Sequence, residues 1–168
     1  MIDNNPGDPD ARAIVRALLL FGFVVALQIG HLIEHIAVAL SGHGLIGLAA
    51  DSELSHLLFN GLIAILSILL IRVYPTNPWV YPLALLSVFH AFEHIYIFAQ
   101  YVRTGTVNGP GLLGIGGAIG IVPLARLDLH NVYNGLEVIL MVLGIGWELD
   151  ACMTDEEVAF DENALSNA

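Results

Sequence analysis

Four long apolar stretches constrain this chain more than any other feature of its sequence. They run over 13–40, 54–71, 78–101 and 128–147, and each is close to the roughly 20 residues that a helix needs to cross a bilayer core. Only 12% of the residues are charged, about half the share in a typical soluble domain. The sequence therefore predicts an all-α, multi-pass protein of the cell membrane with four transmembrane helices surrounded by the lipid bilayer.

The remaining segments complete the predicted organisation. Residues 1–12 are polar and lack the basic region of a secretory signal, so the first span is expected to stay in the protein. Residues 13–148 form the transmembrane domain, and 149–168 form an acidic tail that its composition predicts to be solvated and partly disordered. The short glycine-rich stretch 112–124 is predicted to be interfacial, because irregular backbone at membrane depth must be covered by protein.

The charged residues bear on orientation and partners. The chain has no lysine, which excludes Schiff-base chemistry on a lysine. Three arginines lie on one side of the four-span arrangement and two on the other, a bias towards cytoplasmic termini. The net charge of −11 argues against nucleic acid as a partner. The single cysteine excludes an intrachain disulfide. Assembly into a homo-oligomer or a larger membrane complex is compatible with the sequence.

An internal repeat relates the two halves of the chain. "GHLIEHIAVAL" aligns with "FHAFEHIYIFA", "GHGLIGLA" with "GPGLLGIG", and "SHLLFNGLIAIL" with "LHNVYNGLEVIL", in the same order in each half. This pattern predicts two tandem helical hairpins, over 13–73 and 78–148, related by rotation about the membrane normal as a parallel repeat. The glycine-rich stretch and its counterpart 43–50 are predicted to cover the mouth of the bundle.

Each predicted copy places ionisable side chains inside its spans, on one helix face, since positions i, i+3 and i+4 share a face. Ionisable residues in a span are costly and mark functional sites. Histidine nitrogens and carboxylate oxygens are ligands of transition metals. We therefore predict one layer of eight side chains that binds one or two ions of zinc, iron or copper, formed by His31, Glu34, His35, His56, His90, Glu93, His94 and His130.

Three further polar residues belong to the predicted layer. Asn60 and Asn134 precede a glycine in each copy and are expected to join helices by hydrogen bonds or to support the ligands, with the glycines at close helix contacts. Glu137 breaks the repeat, because its counterpart is Ile63. Its carboxyl group is expected either to relay a proton or to bind a neighbouring side chain.

Several interpretations of this layer stay open at the level of sequence. Glu34 and Glu93 have the alternative role of orienting the histidine rings. The ligand pattern is similar to that of soluble di-metal four-helix bundles, although the order His-x-x-Glu-His differs and no family membership follows. A histidine pair four residues apart with a glutamate beside it favours a bare metal ion over haem.

Three classes of function follow from the predicted layer. The first is a membrane metalloenzyme of oxidoreductase type that acts on an apolar or small substrate. The second is a metal- or proton-handling transport or sensor protein, and the third is a haem-binding or structural accessory subunit. The sequence contains no nucleotide or phosphate motif, and it leaves the catalytic residues and the substrate undetermined.

Overall fold

Four long helices make up the fold. The computed structural model describes residues 9–45 and 52–166, with side chains over 14–45 and 52–151. The helices are α1 (Pro9–Ser41), α2 (Glu53–Val73), α3 (Val80–Thr104) and α4 (Arg126–Ser166). Each contains a segment of 21 to 28 residues that is long and apolar enough to cross a membrane. The predicted all-helical architecture with four membrane-length helices is therefore confirmed.

Local chemistry explains where several helices begin and end. Pro9 opens α1, a position where the missing N–H of proline costs nothing. Ser52 caps α2, because its side chain accepts a hydrogen bond from the Ser55 backbone N–H at 3.1 Å. α3 stops at Gly105, whose φ of 70° lies in the left-handed region that glycine adopts without strain. α4 continues as a helix through the acidic tail to Ser166, where the composition had predicted partial disorder.

The four helices pack as a ring. The most extensive interfaces join α2 to α3 and α1 to α4, while α3–α4 and the smaller α1–α2 interface close the ring. The diagonal pairs α1–α3 and α2–α4 do not pack closely along the described helices. Each helix therefore directs one face into a shared interior, and the polar faces of all four helices meet there.

The interior has an apolar half and a polar half. The apolar half is a cluster of buried side chains formed by Phe21, Val24, Ile63, Leu70, Tyr74, Val80, Leu83 and Met141. A Cβ atom on Gly144 would lie 2.7 Å from the Phe21 ring, so glycine lets α4 approach α1 closely here. A Cβ on Gly61 or Gly135 would meet no heavy atom within 4 Å. The expectation that these two glycines mark close helix contacts is therefore wrong.

The glycine-rich stretch between α3 and α4 contains no helix and folds back on itself. The backbone N–H of Ile115 donates to the Leu124 carbonyl at 2.9 Å, and that of Val122 donates to Leu113 at 2.9 Å. Arg126 donates to both carboxylate oxygens of Glu53 at 2.7 and 2.8 Å. This partly buried ion pair joins the beginnings of α2 and α4 beside the loop. Of the counterpart stretch 43–50, residues 46–50 lie outside the described residues.

Gly117 should tolerate no side chain. A Cβ there would lie 2.5 to 2.9 Å from three backbone carbonyl oxygens of the same loop. Since backbone cannot move aside as a flexible side chain can, Gly117→Ala should lower the free energy of unfolding by roughly 1–3 kcal/mol. Thermal unfolding in mild detergent measures this. The matched control is Gly135→Ala, which adds a methyl group in open space on a helix and should stabilise by up to about 1 kcal/mol. Equal losses in both variants would contradict the expectation.

Candidate metal centre

Six of the seven histidines lie together in the polar half of the bundle. The ring of His130 is at the centre, with ring-centroid distances of 4.2 to 5.9 Å to the five others. Those five are His31, His35, His56, His90 and His94. The structure therefore brings together all six histidines that the sequence placed in one layer, while His43 is exposed and lies outside it.

The helices position these rings by their periodicity. α1 and α3 each contribute two histidines one turn apart, and the first turns of α2 and α4 contribute one each. Four residues make roughly one helical turn, so the paired rings point the same way. Five of the six side chains are buried. His31 is half-buried, and its ring stacks on Phe59 with centroids 4.1 Å apart.

Three ring nitrogens form a small triangle on the α3–α4 side. Nε2 of His90 lies 2.9 Å from Nδ1 of His130 and 3.3 Å from Nε2 of His94, and the last edge measures 3.2 Å. A tetrahedral zinc ion with Zn–N bonds of about 2.0–2.1 Å separates its ligand nitrogens by roughly 3.3–3.4 Å. Three converging ring nitrogens cannot satisfy one another by hydrogen bonds, because each bears either an N–H or a lone pair and so cannot donate and accept at once. The triangle therefore suits a metal ion.

A second group of nitrogens lies on the α1–α2 side. Ligand atoms of His31, His35, His56 and His130 all lie within 4.8 Å of one another. Nε2 of His35 is 3.2 Å from Nε2 of His31 and 2.9 Å from Nε2 of His130. Nδ1 of His56 lies 3.0 Å from the Ser52 carbonyl oxygen. Because a carbonyl only accepts, Nδ1 of His56 is the N–H donor and Nε2 carries the lone pair.

Glu34 and Glu93 hydrogen-bond the loops. The Leu45 backbone N–H donates to Glu34 Oε2 at 2.9 Å, and the Leu112 N–H donates to Glu93 Oε1 at 2.7 Å. The four residues occupy matching positions in the two aligned halves. Neither glutamate belongs to the two histidine groups found among the described residues. The hydrogen bonds fasten each loop to its preceding helix, and the predicted role of both glutamates as metal ligands stays a prediction.

Glu137 hydrogen-bonds to one histidine of the α3–α4 group. Its side chain is fully buried, with Oε1 3.2 Å from Nδ1 of His90. Gln28 Nε2 donates to Glu137 Oε2 and to Asn134 Oδ1. A carboxylate that accepts from Nδ1 of a histidine leaves Nε2 to bind a metal and holds the ring in place. Glu137 therefore binds a neighbouring side chain, as one of the two interpretations of its role predicted.

Asn60 and Asn134 have different partners. Asn60 Nδ2 donates to the carbonyl of His56 on its own helix at 2.9 Å, whereas Asn134 accepts from Gln28 on α1. The expected interhelical hydrogen bond is therefore seen for Asn134. Gln28 was not predicted from the sequence, although it is fully buried. The signal was present, because it is an amide inside an apolar span and lies three residues before His31, on the same helix face.

A cavity of about 340 Å³ opens between α1 and α2, within the size range of small-molecule pockets. Its walls are mostly apolar, and its polar lining residues lie at the edge of the histidine layer. The lining residues are Ala26, Leu27, Gly30, His31, Glu34, Ser55, His56 and Phe59. The cavity therefore offers an apolar molecule a way to reach His31 and His56 beside the smallest helix interface of the ring.

No protein-family model, curated protein or solved structure matches this chain. The chemistry of the site therefore follows from its own geometry. Four apolar helices enclose two groups of histidine nitrogens that are close enough to hold a metal ion, and His130 belongs to both groups. Such a layer can bind transition metals through nitrogen ligands.

Proposed function

We propose that this protein is a membrane metalloenzyme of oxidoreductase type, whose histidine layer binds one or two transition-metal ions. The observation that carries the proposal is the triangle of nitrogens from His90, His94 and His130, with edges of 2.9 to 3.3 Å. Unpaired polar groups are costly to bury, and a metal ion at the centre of the triangle would satisfy all three lone pairs at once. The glutamates Glu34 and Glu93 are proposed to join the ligand set when metal binds.

The nature of the ligands narrows the identity of the ion. Imidazole suits zinc, copper and iron, and a set dominated by imidazole suits zinc or copper at least as well as iron. Zinc has no redox chemistry. An oxidoreductase with these ligands would therefore use copper or iron, whereas a zinc ion would support a hydrolytic or structural role.

The apolar half of the bundle disfavours the transport alternative. Ion conduction requires a polar or water-filled path. On the other side of Glu137 the interior is filled mostly by apolar side chains such as Ile63, Leu70 and Met141, all with no exposed surface. The buried polar groups among them include Ser67 and Ser87, which hydrogen-bond to each other at 3.3 Å. Among the described residues, the histidines and Glu137 are therefore separated from the far end of the bundle by a mostly apolar interior, which favours a binding site over a conducting path.

The proposal includes the parallel repeat of two hairpins, with both termini in the cytoplasm. Two observations support the repeat. The loop hydrogen bonds Glu34–Leu45 and Glu93–Leu112 occupy matching positions in the two halves. A twofold rotation about an axis along the bundle would exchange α1 with α3 and α2 with α4. It would therefore exchange the two most extensive interfaces, α2–α3 and α1–α4.

Metal analysis of the protein purified in mild detergent tests the proposal. We expect stoichiometric metal in the protein as isolated, or a clear rise in melting temperature on addition of copper, zinc or iron to chelator-treated protein. Binding to the folded state raises its stability by mass action. A protein without metal, whose melting temperature none of the three ions changes, would show that the layer is structural, and the enzyme proposal would fail.

The cavity beside His31 is proposed to bind the apolar substrate. Gly30 lines it, and a Cβ there would meet no heavy atom within 4 Å. Gly30→Leu should therefore fill the cavity and abolish saturable labelling of α1 and α2 by a photoreactive long-chain alcohol, while metal content is unchanged. Gly22→Leu is the matched control, because Gly22 also faces open space on α1 but does not line the cavity. Labelling that persists in Gly30→Leu would contradict this assignment.

A further inference from the structure

The two nitrogens of His130 face two different groups of histidines. Nε2 lies 2.9 Å from Nε2 of His35, on the α1–α2 side. Nδ1 lies 2.9 and 3.2 Å from Nε2 of His90 and His94, on the α3–α4 side. The His130 side chain is 7% exposed, and it is the one residue common to both groups found among the described residues.

The chemistry of imidazole gives this position a consequence. A neutral ring has one N–H and one lone pair, so it can bind one metal ion. A ring that has also lost this N–H proton, an imidazolate, has a lone pair on each nitrogen. The two lone pairs lie in the ring plane and point away from each other. Such a ring binds one metal ion at each nitrogen and joins the two ions through the bonds of the ring.

We propose that His130 bridges two metal ions as an imidazolate, an inference that rests on the proposed metal-binding function. One ion is bound by Nε2 of His130 together with His31, His35 and His56. The other is bound by Nδ1 of His130 together with His90 and His94. As the second ion binds, one metal–nitrogen bond replaces the N–H bond of His130, and the proton leaves to solvent.

The two ions have unequal surroundings. The first has four histidine nitrogens, already enough for a tetrahedral set, so Glu34 would add a fifth ligand there. The second has three, which leaves one position for a further ligand, as in catalytic metal sites. Glu137 lies 3.2 Å from Nδ1 of His90, so the three-nitrogen ion has the carboxylate support that raises the basicity of a histidine ligand. We therefore expect two metal sites of different affinity.

Copper(II) and electron paramagnetic resonance test the bridge. Two copper(II) ions joined by an imidazolate have coupled spins, so their low-temperature signal is much weaker than the copper content predicts. Chelator-treated protein in mild detergent should bind two copper ions per chain and lose signal as the second ion binds. His94→Ala should bind one copper with its full signal, and His43→Ala should behave as the unchanged protein.

Replacement of the bridge by a free ligand separates it from other ways of coupling two ions. His130→Gly should bind copper without spin coupling. Added imidazole, which fits the space of the lost ring and has two nitrogens, should restore the coupling. Added 1-methylimidazole can bind only one ion and should not restore it. Melting curves for each variant verify that it is folded.

The outcomes distinguish this inference from the function on which it rests. A protein that binds no copper refutes the bridge, and one that binds neither copper, zinc nor iron refutes the proposed function as well. One copper per chain, or two with their full signal, refutes the bridge and leaves the metal site in place. Coupling that persists in His130→Gly without imidazole also refutes the bridge, because another group would then join the ions.

Discussion

His94→Ala should lower the metal content and the melting temperature of this protein together. Nε2 of His94 lies 3.3 Å from Nε2 of His90 and 3.2 Å from Nδ1 of His130, and the side chain is 1% exposed. Without it the α3–α4 group keeps two nitrogens, too few for a stable site. A ligand present at 100 times its dissociation constant stabilises the folded state by about 2.7 kcal/mol, so a loss of roughly this size is expected.

Metal per chain and thermal unfolding, each measured before and after chelation, check this expectation. Chelation should lower the melting temperature of the unchanged protein more than that of His94→Ala, because the variant has only the four-histidine group left to lose its metal. His43→Ala is the matched control, because His43 is an exposed histidine outside the cluster, and it should change neither quantity. If His94→Ala keeps as much metal per chain as the unchanged protein, or if chelation affects both proteins equally, the ring has a structural role only.

Glu137→Leu should weaken metal binding by about 10- to 100-fold, the usual cost of removing a group that orients a metal ligand. The carboxylate accepts from Nδ1 of His90 at 3.2 Å and also binds Gln28. Leucine cannot accept a hydrogen bond, so the His90 ring loses the contact that orients Nε2. Competition with a chelator of known affinity measures the change.

Glu137→Gln is the matched control for the carboxylate. Oε1 of Gln28 and Nδ2 of Asn134 are buried without a hydrogen-bond partner in the described part of the chain. Both amides can turn over, so that the glutamine at position 137 donates to Gln28 and still accepts from His90. Metal affinity should therefore stay close to that of the unchanged protein. A loss as large as in Glu137→Leu would show that negative charge, rather than orientation, is what His90 requires.

The proton-relay interpretation of Glu137 needs a separate measurement. A glutamine at this position can hold His90 in place but cannot carry a proton. If Glu137→Gln binds metal normally and keeps full activity once an oxidoreductase assay has been found, the relay is refuted. A fall in activity with unchanged metal content would support it.

The number and nature of the helices were predictable from the sequence alone. A span depends on about 20 consecutive apolar residues, which is a local property, and the four predicted spans match the four helices. The grouping of His31 with His35 and of His90 with His94 is also local, because helix geometry alone puts positions i and i+4 on one face.

The pairing of groups from different helices was decided only by the tertiary structure. Helix rotation and separation determine that His130 lies between His35 and His90, and neither quantity follows from residue spacing. Glu34 and Glu93 share a face with the histidines, yet their carboxylates accept from loop N–H groups, and the spacing of residues along the helix does not predict where the loop backbone lies. The sequence alone determined which side chains lie on the four membrane-length helices, and packing decided which atoms those side chains meet.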